Sequence, residues 1–354
     1  MSLAARLHQR IDTSGPLTVA EFMAEALLNP THGYYTTGTP FGASGDFVTA
    51  PEISQMFGEL VGLSLAQSWM DQGAPDRFTL AELGPGRGTL LADILRATGA
   101  VPGFRDAANV VLVEASDRLR DTQAKSLAGV PVTWVDAADE LPSDCPLWCV
   151  ANEFFDALPV RQFVRDGAYW RERCVGAKDG ALAFGLAPAG PQPDLDHRLE
   201  DTANGDLVET CAAGTAILSE LGQRIGTQGG AALIIDYGDW RSLGDTLQAV
   251  QDHKPTDPLA EPGLADLTAH VDFEALARAA APAAHTRLTP QGVFLERLGI
   301  TQRAQALAQR LDGDALETHI TAHRRLTHPD EMGNLFKVLG LYPVTAAPPP
   351  GLSE

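Results

Sequence analysis

A glycine-rich segment carries the clearest chemical signal in this chain. The segment Glu82-Leu-Gly-Pro-Gly-Arg-Gly88 lies between an apolar strand pattern at Phe78–Ala81 and a helical apolar pattern at Leu90–Leu95. A strand, a glycine turn and a helix in this order form the usual cradle of a nucleotide-like cofactor, because the backbone and the helix N-terminus can approach the ligand closely. The segment therefore predicts a cofactor site.

The glycine spacing distinguishes between cofactors. A dinucleotide-binding turn has the pattern G-x-G-x-x-G, but after Gly84 and Gly86 the third glycine comes one residue early, at Gly88. The carboxylate of Glu82 would repel a diphosphate and suits a ligand with an ammonium group. We therefore expect Glu82 and the turn, which also contains Pro85, to bind S-adenosylmethionine (SAM). An NAD site is the poorer match.

Acidic residues follow the next two predicted strands. Glu114 comes directly after Asn109–Val113 and is placed to accept both hydroxyls of a ribose. Asp136 comes after Val132–Val135, where it could contact the adenine amino group or cap a helix. The order of the glycine turn, Glu82 and Glu114 favours a cofactor site over a sharp turn followed by an ordinary surface glutamate.

The segment after the fourth predicted strand, Leu147–Val150, is the best substrate-site candidate. It reads Asn152-Glu-Phe-Phe-Asp-Ala-Leu-Pro159, and Asn152 would lie beside the methyl donor. Methyl transfer is an in-line displacement from a sulfonium, so the acceptor must be oriented and water excluded. A guanidinium stays protonated, so Glu153 or Asp156 would hold it bidentately and polarise one nitrogen. Alternatively, these acids only cap a helix and the phenylalanines only pack.

Other polar groups are weaker candidates. His319 and His323 have helical i, i+4 spacing, but the sequence between them lacks the glutamate of H-E-x-x-H, and no metal site is predicted. Asp266, His270 and Asp272 could form a polar cluster over the site, or could cap the helix that follows. Whether they belong to the site is left open.

The elements that must position these residues alternate between strands and helices from Arg77 onward. The strongest strand pattern, Ala231–Ile235, is followed by Asp236. Such alternation predicts an α/β fold with a parallel sheet, and ligands of open α/β sheets bind outside the carboxyl ends of the strands. The polar strand ends should therefore meet at one edge of the sheet.

Two helices are predicted before the sheet begins, at Val19–Leu28 and at Glu52–Met70. Thr18-x-x-Glu21 and Thr49-x-x-Glu52 resemble capping boxes at their N-termini. Residues 1–75 are therefore predicted to be an N-terminal helical extension.

Residues 76–354 are predicted to be the catalytic domain, with two insertions. Asp-Gly pairs indicate β-hairpins in residues 160–205. Residues 241–270 include an aperiodic stretch, Leu247–Gly263, which predicts a lid or docking loop.

Composition excludes several classes of function. The chain has 354 residues, 44% of them hydrophobic, and a formal charge of -20 with no basic block. That charge disfavours a nucleic-acid partner and favours cationic protein segments. No apolar run suggests membrane insertion. Four cysteines without a C-x-x-C pair, and the absence of a visible signal or presequence, predict a reduced protein of the bacterial cytoplasm.

The chain resembles the MidA family of SAM-dependent methyltransferases, whose mitochondrial members assist assembly of respiratory complex I. The resemblance spans most of the chain. Beyond the glycine turn, it is carried by these strings: Gly45-Asp-Phe-Val-Thr-Ala-Pro-Glu-Ile-Ser-Gln-Met-Phe-Gly-Glu59, Asn152 to Pro159, Asp236-Tyr-Gly238, Asp266-Leu-Thr-Ala-His-Val-Asp-Phe273, Gln291-Gly292 and Met332-Gly333.

The resemblance implies a class I methyltransferase fold, Rossmann-like with a seven-stranded, mostly parallel sheet, and an N-terminal helical extension. It places Gly45–Glu59 over the cofactor, with Asp46, Thr49, Glu52 and Gln55 as contacts to SAM or to the incoming side chain and Asp46 as a catalytic candidate. Packing and capping would explain this helix equally well without function. One departure concerns Glu209, which is followed by Thr-Cys where a Ser-Pro type of turn is expected. The role of Glu209 is therefore open.

The implied activity is symmetric dimethylation of an arginine in the large core subunit of NADH:ubiquinone oxidoreductase (complex I) during assembly. The partner would be an arginine-containing segment of that subunit, and a homodimer is left open. A SAM-binding assembly chaperone without transfer and a small-molecule methyltransferase are the alternatives.

Overall fold

The structure is a computed structural model that describes residues 1–37 and 49–354. Its α-helices, in chain order, are α1 Leu3–Ser14, α2 Val19–Leu28, α3 Tyr34–Thr37, α4 Ala50–Ile53, α5 Gln55–Asp71, α6 Thr89–Thr98, α7 Phe104–Ala107, α8 Asp117–Ser126, α9 Ala212–Gln228, α10 Phe273–Ala279, α11 Gln291–Arg297, α12 Ile300–Ala308, α13 Gly313–Thr327 and α14 Met332–Leu335. Its strands are β1 Leu17–Thr18, β2 Phe78–Leu83, β3 Ala108–Val113, β4 Val132–Val135, β5 Leu147–Asn152, β6 Arg161–Asp166, β7 Tyr169–Lys178, β8 Ala181–Leu186, β9 Leu207–Thr210, β10 Gly230–Asp239, β11 Gln248–Gln251, β12 Lys254–Thr256, β13 Asp266–Thr268, β14 Val271–Asp272, β15 Ala284–His285, β16 Thr289–Pro290 and β17 Phe336–Tyr342.

The chain divides into two compact units, each built from three segments. The first unit contains Met1–Phe47, Asp156–Gly214 and Arg241–Asp272. The second contains Val48–Phe155, Thr215–Trp240 and Phe273–Glu354. These units divide the chain at positions other than residue 75, and the two-domain division expected from the sequence remains a prediction.

The second unit is built on a mostly parallel sheet. Its hydrogen-bonded order is β15-β17-β10-β5-β2-β3-β4, with β16 also pairing with β17. The neighbours from β10 to β4 are parallel, whereas β17 runs antiparallel to β10. This arrangement confirms the predicted α/β fold with a parallel sheet. The hydrogen-bonded order above contains seven strands, but β16 also belongs to the sheet, so the predicted count of seven strands is not confirmed.

The central strands lie within a hydrophobic core. Every residue of β2 and β5 is buried, as expected for parallel strands covered on both faces. The rings of Phe78 and Trp148 on these strands meet edge to face with centroids 5.0 Å apart. Apolar side chains of α5 and α6, including Leu65 and Leu91, belong to the same buried cluster. The core therefore fixes the strands whose ends carry the candidate site.

The predicted helix over Glu52–Met70 is interrupted, and this prediction was wrong in that respect. Ser54 adopts an extended conformation (φ -159°, ψ 136°) between α4 and α5, and its hydroxyl accepts a hydrogen bond from the Met56 amide at 3.2 Å. Thr49 precedes α4 but its side chain makes no capping hydrogen bond. Ser54 therefore supplies the N-cap that the sequence suggested at Thr49.

The first unit contains α1, α2 and two antiparallel sheets. The larger sheet has the order β1-β7-β6-β9, with β8 on β7, and the smaller has the order β12-β11-β13. The capping box at Thr18 and Glu21 is present, as predicted. The hairpin of β7 and β8 turns at Asp179 and Gly180, both of which have positive φ.

The stretch Leu247–Gly263 was predicted to be irregular, but it contains β11 and β12. Asp252 and His253, both at positive φ, form the turn between these strands. The prediction failed because neither residue of the turn is a glycine, the usual signal of a tight hairpin. The role of residues 241–270 as a lid remains a prediction. Within the described part of the chain, no helix is long and apolar enough to cross a membrane.

Candidate active site

The candidate site lies at the carboxyl ends of the central strands in the second unit. The strand β2 has β3 on one side and β5 on the other, so the chain reverses its direction of winding between β2 and β5. Ligands of open α/β sheets bind in the crevice at such a switch point. The glycine turn follows β2, and Asn152 and Glu153 end β5 and begin the next loop.

The glycine turn has a backbone that other residues adopt only with strain. The φ angles of Gly84, Gly86 and Gly88 are +63°, +52° and +79°. A Cβ atom on Gly84 would lie 2.6 Å from the ring of Phe154. The amide of Gly88 donates to the carbonyl of Pro85 at 2.7 Å, which closes the turn directly before α6. The glycines are therefore required by conformation and by close approach.

Glu82 is a buried carboxyl group at the end of β2. Only 3% of the residue is exposed, and its Oε2 atom has no hydrogen-bond partner within the described ranges. Burial raises the pKa of Glu82 to about 8, against an opposing backbone hydrogen bond from Leu91. Burial therefore favours the protonated form of Glu82, and a nearby ammonium group would favour its ionised form.

Glu114 is linked to the glycine turn by a glutamine that sequence reasoning missed. The side-chain amide of Gln123 donates both to Glu114 Oε2, at 3.1 Å, and to the carbonyl of Gly86, at 2.8 Å. The indole of Trp134 donates to Gln123 Oε1 at 2.9 Å. Gln123 is the one buried residue of α8, so no apolar periodicity marks it. Glu114 Oε1 accepts from the Ser116 amide at 2.8 Å.

Asp136 follows β4 and has an exposed side chain. Its Oδ1 lies 2.5 Å from Nη2 of Arg120, and 69% of its side chain is accessible. The short 3-10 helix that follows, Ala138–Glu140, is preceded by Ala137 and receives no side-chain cap. The capping alternative for Asp136 is therefore not supported, and its contact with adenine remains a prediction.

Asn152 and Glu153 place two polar side chains at the end of β5. Asn152 is 8% exposed, and its Oδ1 accepts no hydrogen bond from the described residues. Glu153 Oε1 accepts from Asn152 Nδ2, at 3.1 Å, and from the amide of Ala50, at 3.0 Å. Burial raises the pKa of the Glu153 carboxyl. Its φ of +52° is unusual for a non-glycine residue, and such conformations are concentrated at functional sites.

Asp236 holds the turn that contains these residues. One carboxylate oxygen, Oδ2, accepts from the amides of Phe154 and Phe155 at 3.1 and 2.8 Å, and Oδ1 accepts from the Tyr237 amide at 2.8 Å. Burial raises the pKa of Asp236 to about 7, and the charge of Glu153 acts in the same direction. The sequence marked Asp236 only as a polar strand end, because nothing in it shows that the loop after β5 returns to this residue.

The other two predicted catalytic acids are Asp46 and Asp156. Asp46 lies outside the described residues. Asp156 belongs to the first unit, where its carbonyl accepts from the Ala269 amide at 2.9 Å. In that unit burial, followed by the negative charges of Asp266 and Asp156, raises the pKa of Tyr35. The catalytic roles of Asp46 and Asp156 remain predictions.

Two predicted SAM contacts come from the segment around α4 and α5. Thr49 is the residue before α4. The side-chain Nε2 of Gln55 donates to Glu59 Oε1 at 3.1 Å, and buried Glu59 also pairs with Arg96 and Arg303, each at 2.7 Å. The structure therefore gives the Gln55 side chain a partner within the protein. Its contact with SAM, like that of Thr49, remains a prediction.

The weaker candidates have structural partners. His319 Nε2 lies 3.0 Å from the carbonyl of Ala304, and His323 Nε2 lies 3.1 Å from the hydroxyl of Thr301. These contacts pack α12 against α13, so the spacing of the two histidines has a structural explanation.

The remaining candidates, Glu209, Asp266, His270 and Asp272, lie in the first unit. Glu209 accepts from Gln162 Nε2 at 2.7 Å and from the Thr246 amide at 3.2 Å. Thr246 Oγ1 accepts from the His270 amide at 2.8 Å. Asp272 accepts from the Ser242 amide at 3.1 Å. Glu209 and Asp272 therefore hold the loop that follows β10.

Comparison with known proteins identifies relatives along most of the chain. A family model described as "Putative S-adenosyl-L-methionine-dependent methyltransferase" matches residues 60–291. The mitochondrial protein arginine methyltransferase NDUFAF7 of Mus musculus is 38% identical, over 95% of this chain and 83% of the relative. The Homo sapiens protein of the same name is 37% identical, over 95% and 82%.

A solved structure extends this similarity to the fold. A protein from Burkholderia thailandensis described as a likely methyl transferase, crystallised with S-adenosyl-homocysteine bound, is 31% identical to this chain, with a TM-score of 0.82. The match covers 96% of this chain and 91% of that chain.

Proposed function

Because the chain belongs to the MidA family of SAM-dependent methyltransferases, we propose that it methylates an arginine side chain of a protein substrate. The observation that carries this proposal is the 38% identity, over 95% of the chain, to an enzyme named as a protein arginine methyltransferase. The finer proposal is symmetric dimethylation of an arginine in the large core subunit of complex I during assembly.

The residues at the strand ends fit SAM. The unpaired Oε2 atom of Glu82 suits an ammonium group, and Glu114 can accept ribose hydroxyls because each carboxylate oxygen has a second lone pair. The glycine turn gives the cofactor close access to the backbone. We propose that Asp136, Asn152, Thr49 and Gln55 complete the contacts. Bound SAM supplies an electrophilic methyl group on a sulfonium.

We propose that Glu153 holds the acceptor guanidinium. Its Oε1 is engaged by two donors, whereas Oε2 accepts no hydrogen bond from the residues that the structure describes. A guanidinium would stabilise the ionised carboxylate and be oriented by it. Methyl transfer to that nitrogen would release S-adenosyl-homocysteine, and the Glu153 carboxylate would accept the proton that the nitrogen loses. Asp156 and Asp46 are proposed to assist.

The test is transfer from labelled SAM to a purified large core subunit of bacterial complex I, with the labelled residue located by mass spectrometry. We expect label on one arginine, and a decrease of about 100-fold in rate for Glu153→Gln, since the charge that orients the acceptor is lost. Glu331→Gln, which alters an exposed ion pair with Arg324, is the matched control and should retain activity. A protein that binds SAM but labels no arginine would instead be a SAM-binding assembly factor.

The location in the cell is a separate proposal. The curated relatives carry the word "mitochondrial" in their names, so they do not support the cytoplasmic location expected from the sequence. We propose a bacterial cytoplasmic enzyme, which cell fractionation with an antibody against this chain would test. Whether it acts as a homodimer would be measured by analytical ultracentrifugation.

A further inference from the structure

The four-residue helix α4 makes hydrogen bonds on both sides of the switch-point crevice. At its first residue, the amide of Ala50 donates to Glu153 Oε1 at 3.0 Å. At its third residue, Glu52 Oε1 accepts from the hydroxyl of Thr89 at 2.5 Å, and Glu52 Oε2 lies 3.4 Å from Nη1 of Arg87. Arg87 is part of the glycine turn, and Thr89 begins α6. The helix therefore connects the turn after β2 to the residue after β5.

The two connected segments differ in how their conformations are maintained. The glycine turn uses φ values that glycine adopts without strain, so it can adjust to a ligand. Glu153 has a left-handed φ that a glutamate rarely adopts, so surrounding contacts must hold it there. The Ala50 amide supplies one of the two hydrogen bonds that hold its carboxylate. A displacement of α4 would therefore move the Glu153 carboxylate.

We propose that Glu52 is a positioning residue that couples the glycine turn to Glu153 through α4. The inference uses the proposed function only in taking Glu153 as the group that orients the acceptor. Occupation of the turn by the cofactor fixes Arg87 and Thr89, and through Glu52 this fixes α4 and the Ala50 amide. The carboxylate of Glu153 is then aligned when the methyl donor is present.

A purely structural role for Glu52 makes a different prediction. An acid in the first turn of α4 and near the N-terminus of α6 stabilises both helices through their dipoles. The ion pair with Arg87 is partly exposed, with 45% of the arginine side chain accessible, so its contribution to stability is small. In that case Glu52→Ala would lower the melting temperature without a specific change in kcat.

The first measurement is a comparison of kcat and KM for Glu52→Ala. We expect kcat to fall about 10- to 100-fold, because small misplacements of a group that orients the acceptor have large effects on rate. The KM for SAM should change far less. Glu52→Gln keeps an oxygen that can accept from Thr89 and should restore much of kcat, whereas Glu331→Ala, the matched control, should leave it unchanged. An unchanged kcat in Glu52→Ala would overturn the proposal.

The second measurement does not depend on the identity of the acceptor. Hydrogen exchange of the Ala50 amide should slow when S-adenosyl-homocysteine binds the wild-type protein. In Glu52→Ala, the ligand should still bind but the added protection of Ala50 should be lost. Equal protection in both proteins would refute the coupling. Coupling without any transfer to arginine would instead refute the proposed function and leave the role of Glu52 intact.

Discussion

At the scale of single residues, the site contains buried polar atoms that the protein itself does not satisfy. Glu82 Oε2 and Asn152 Oδ1 both lie at carboxyl ends of adjacent strands and have no hydrogen-bond partner among the residues described. Buried polar atoms are nearly always paired, so we propose that a bound ligand supplies the partners of these two atoms.

The raised pKa of Glu82 predicts how stability depends on pH. Between the ordinary value of 4.5 and about 8, the folded state holds a proton at Glu82 that the unfolded state has lost. The free energy of unfolding should therefore fall as pH rises through this window, by at most about 1.4 kcal/mol per pH unit from this group. Glu82→Gln should remove this contribution. Its stability relative to that of the wild-type protein should therefore be higher at pH 8 than at pH 5.

Urea unfolding of both proteins from pH 5 to pH 8 would measure the difference. Asp236, whose pKa of about 7 also lies in this range, is present in both proteins and therefore cancels in the comparison. If the two stability curves remain parallel across the range, Glu82 is ionised in the free protein and this account of the residue is wrong.

The sequence predicted some of these residues and not others for a physical reason. The positions of the glycines, Glu82 and Glu114 were predictable because they lie at or just after the end of a strand pattern, so local order determines their place. Gln123 and Asp236 act through side-chain contacts with residues 37 and 82 positions away, to Gly86 and Phe154. Nothing local in the sequence indicates such contacts.

At the scale of elements, the glycine turn can be tested with a matched pair of variants. Gly84 and Gly129 both have positive φ, of +63° and +87°, but only Gly84 faces a close neighbour, Phe154. Gly129→Ala should lower the free energy of unfolding by about 1–2 kcal/mol through backbone strain alone. Gly84→Ala should lower the free energy of unfolding by about 1–3 kcal/mol more because of the steric clash. It should also bind SAM at least about tenfold more weakly.

Chemical denaturation and calorimetric titration with SAM would compare the two variants. Equal SAM affinity in Gly84→Ala and Gly129→Ala would mean that the turn after β2 does not contact the cofactor.

The start of the long helix α5 lies at a different residue in the structure than the sequence indicated. The sequence indicated an N-cap at Thr49, whereas the structure uses Ser54 as the N-cap of the long helix α5. The short helix α4 that remains is the element that reaches both Glu153 and the glycine turn. The periodicity of α5 was readable, but the extended conformation of Ser54 that separates α4 from α5 leaves no periodic signal.

At the scale of the whole molecule, the first unit could not have been deduced from chain order. The first two of its three segments are separated by more than 100 residues of the chain. Its core combines residues from all three segments, such as Phe22, Val160 and Leu267. The parallel sheet was predictable because strands and helices alternate, whereas the assembly of distant segments depends on long-range packing.

The charge of the whole chain predicts salt-dependent substrate binding. With a net charge of -20, the protein should attract a basic protein segment, and salt should screen this attraction. We expect the KM for the protein substrate to rise about threefold or more between about 50 and 300 mM salt. Steady-state kinetics with the complex I subunit would measure this, and a KM independent of salt would argue against a cationic partner.

The central claim is that this methyltransferase modifies an arginine of a protein. Its most direct test is mass spectrometry of complex I isolated from cells with and without this protein. We predict that one arginine of the large core subunit is dimethylated in cells that contain the protein and unmodified in cells that lack it. Cells that contain only the Glu153→Gln variant should resemble the cells that lack the protein. Identical methylation of every arginine in both samples would contradict the account.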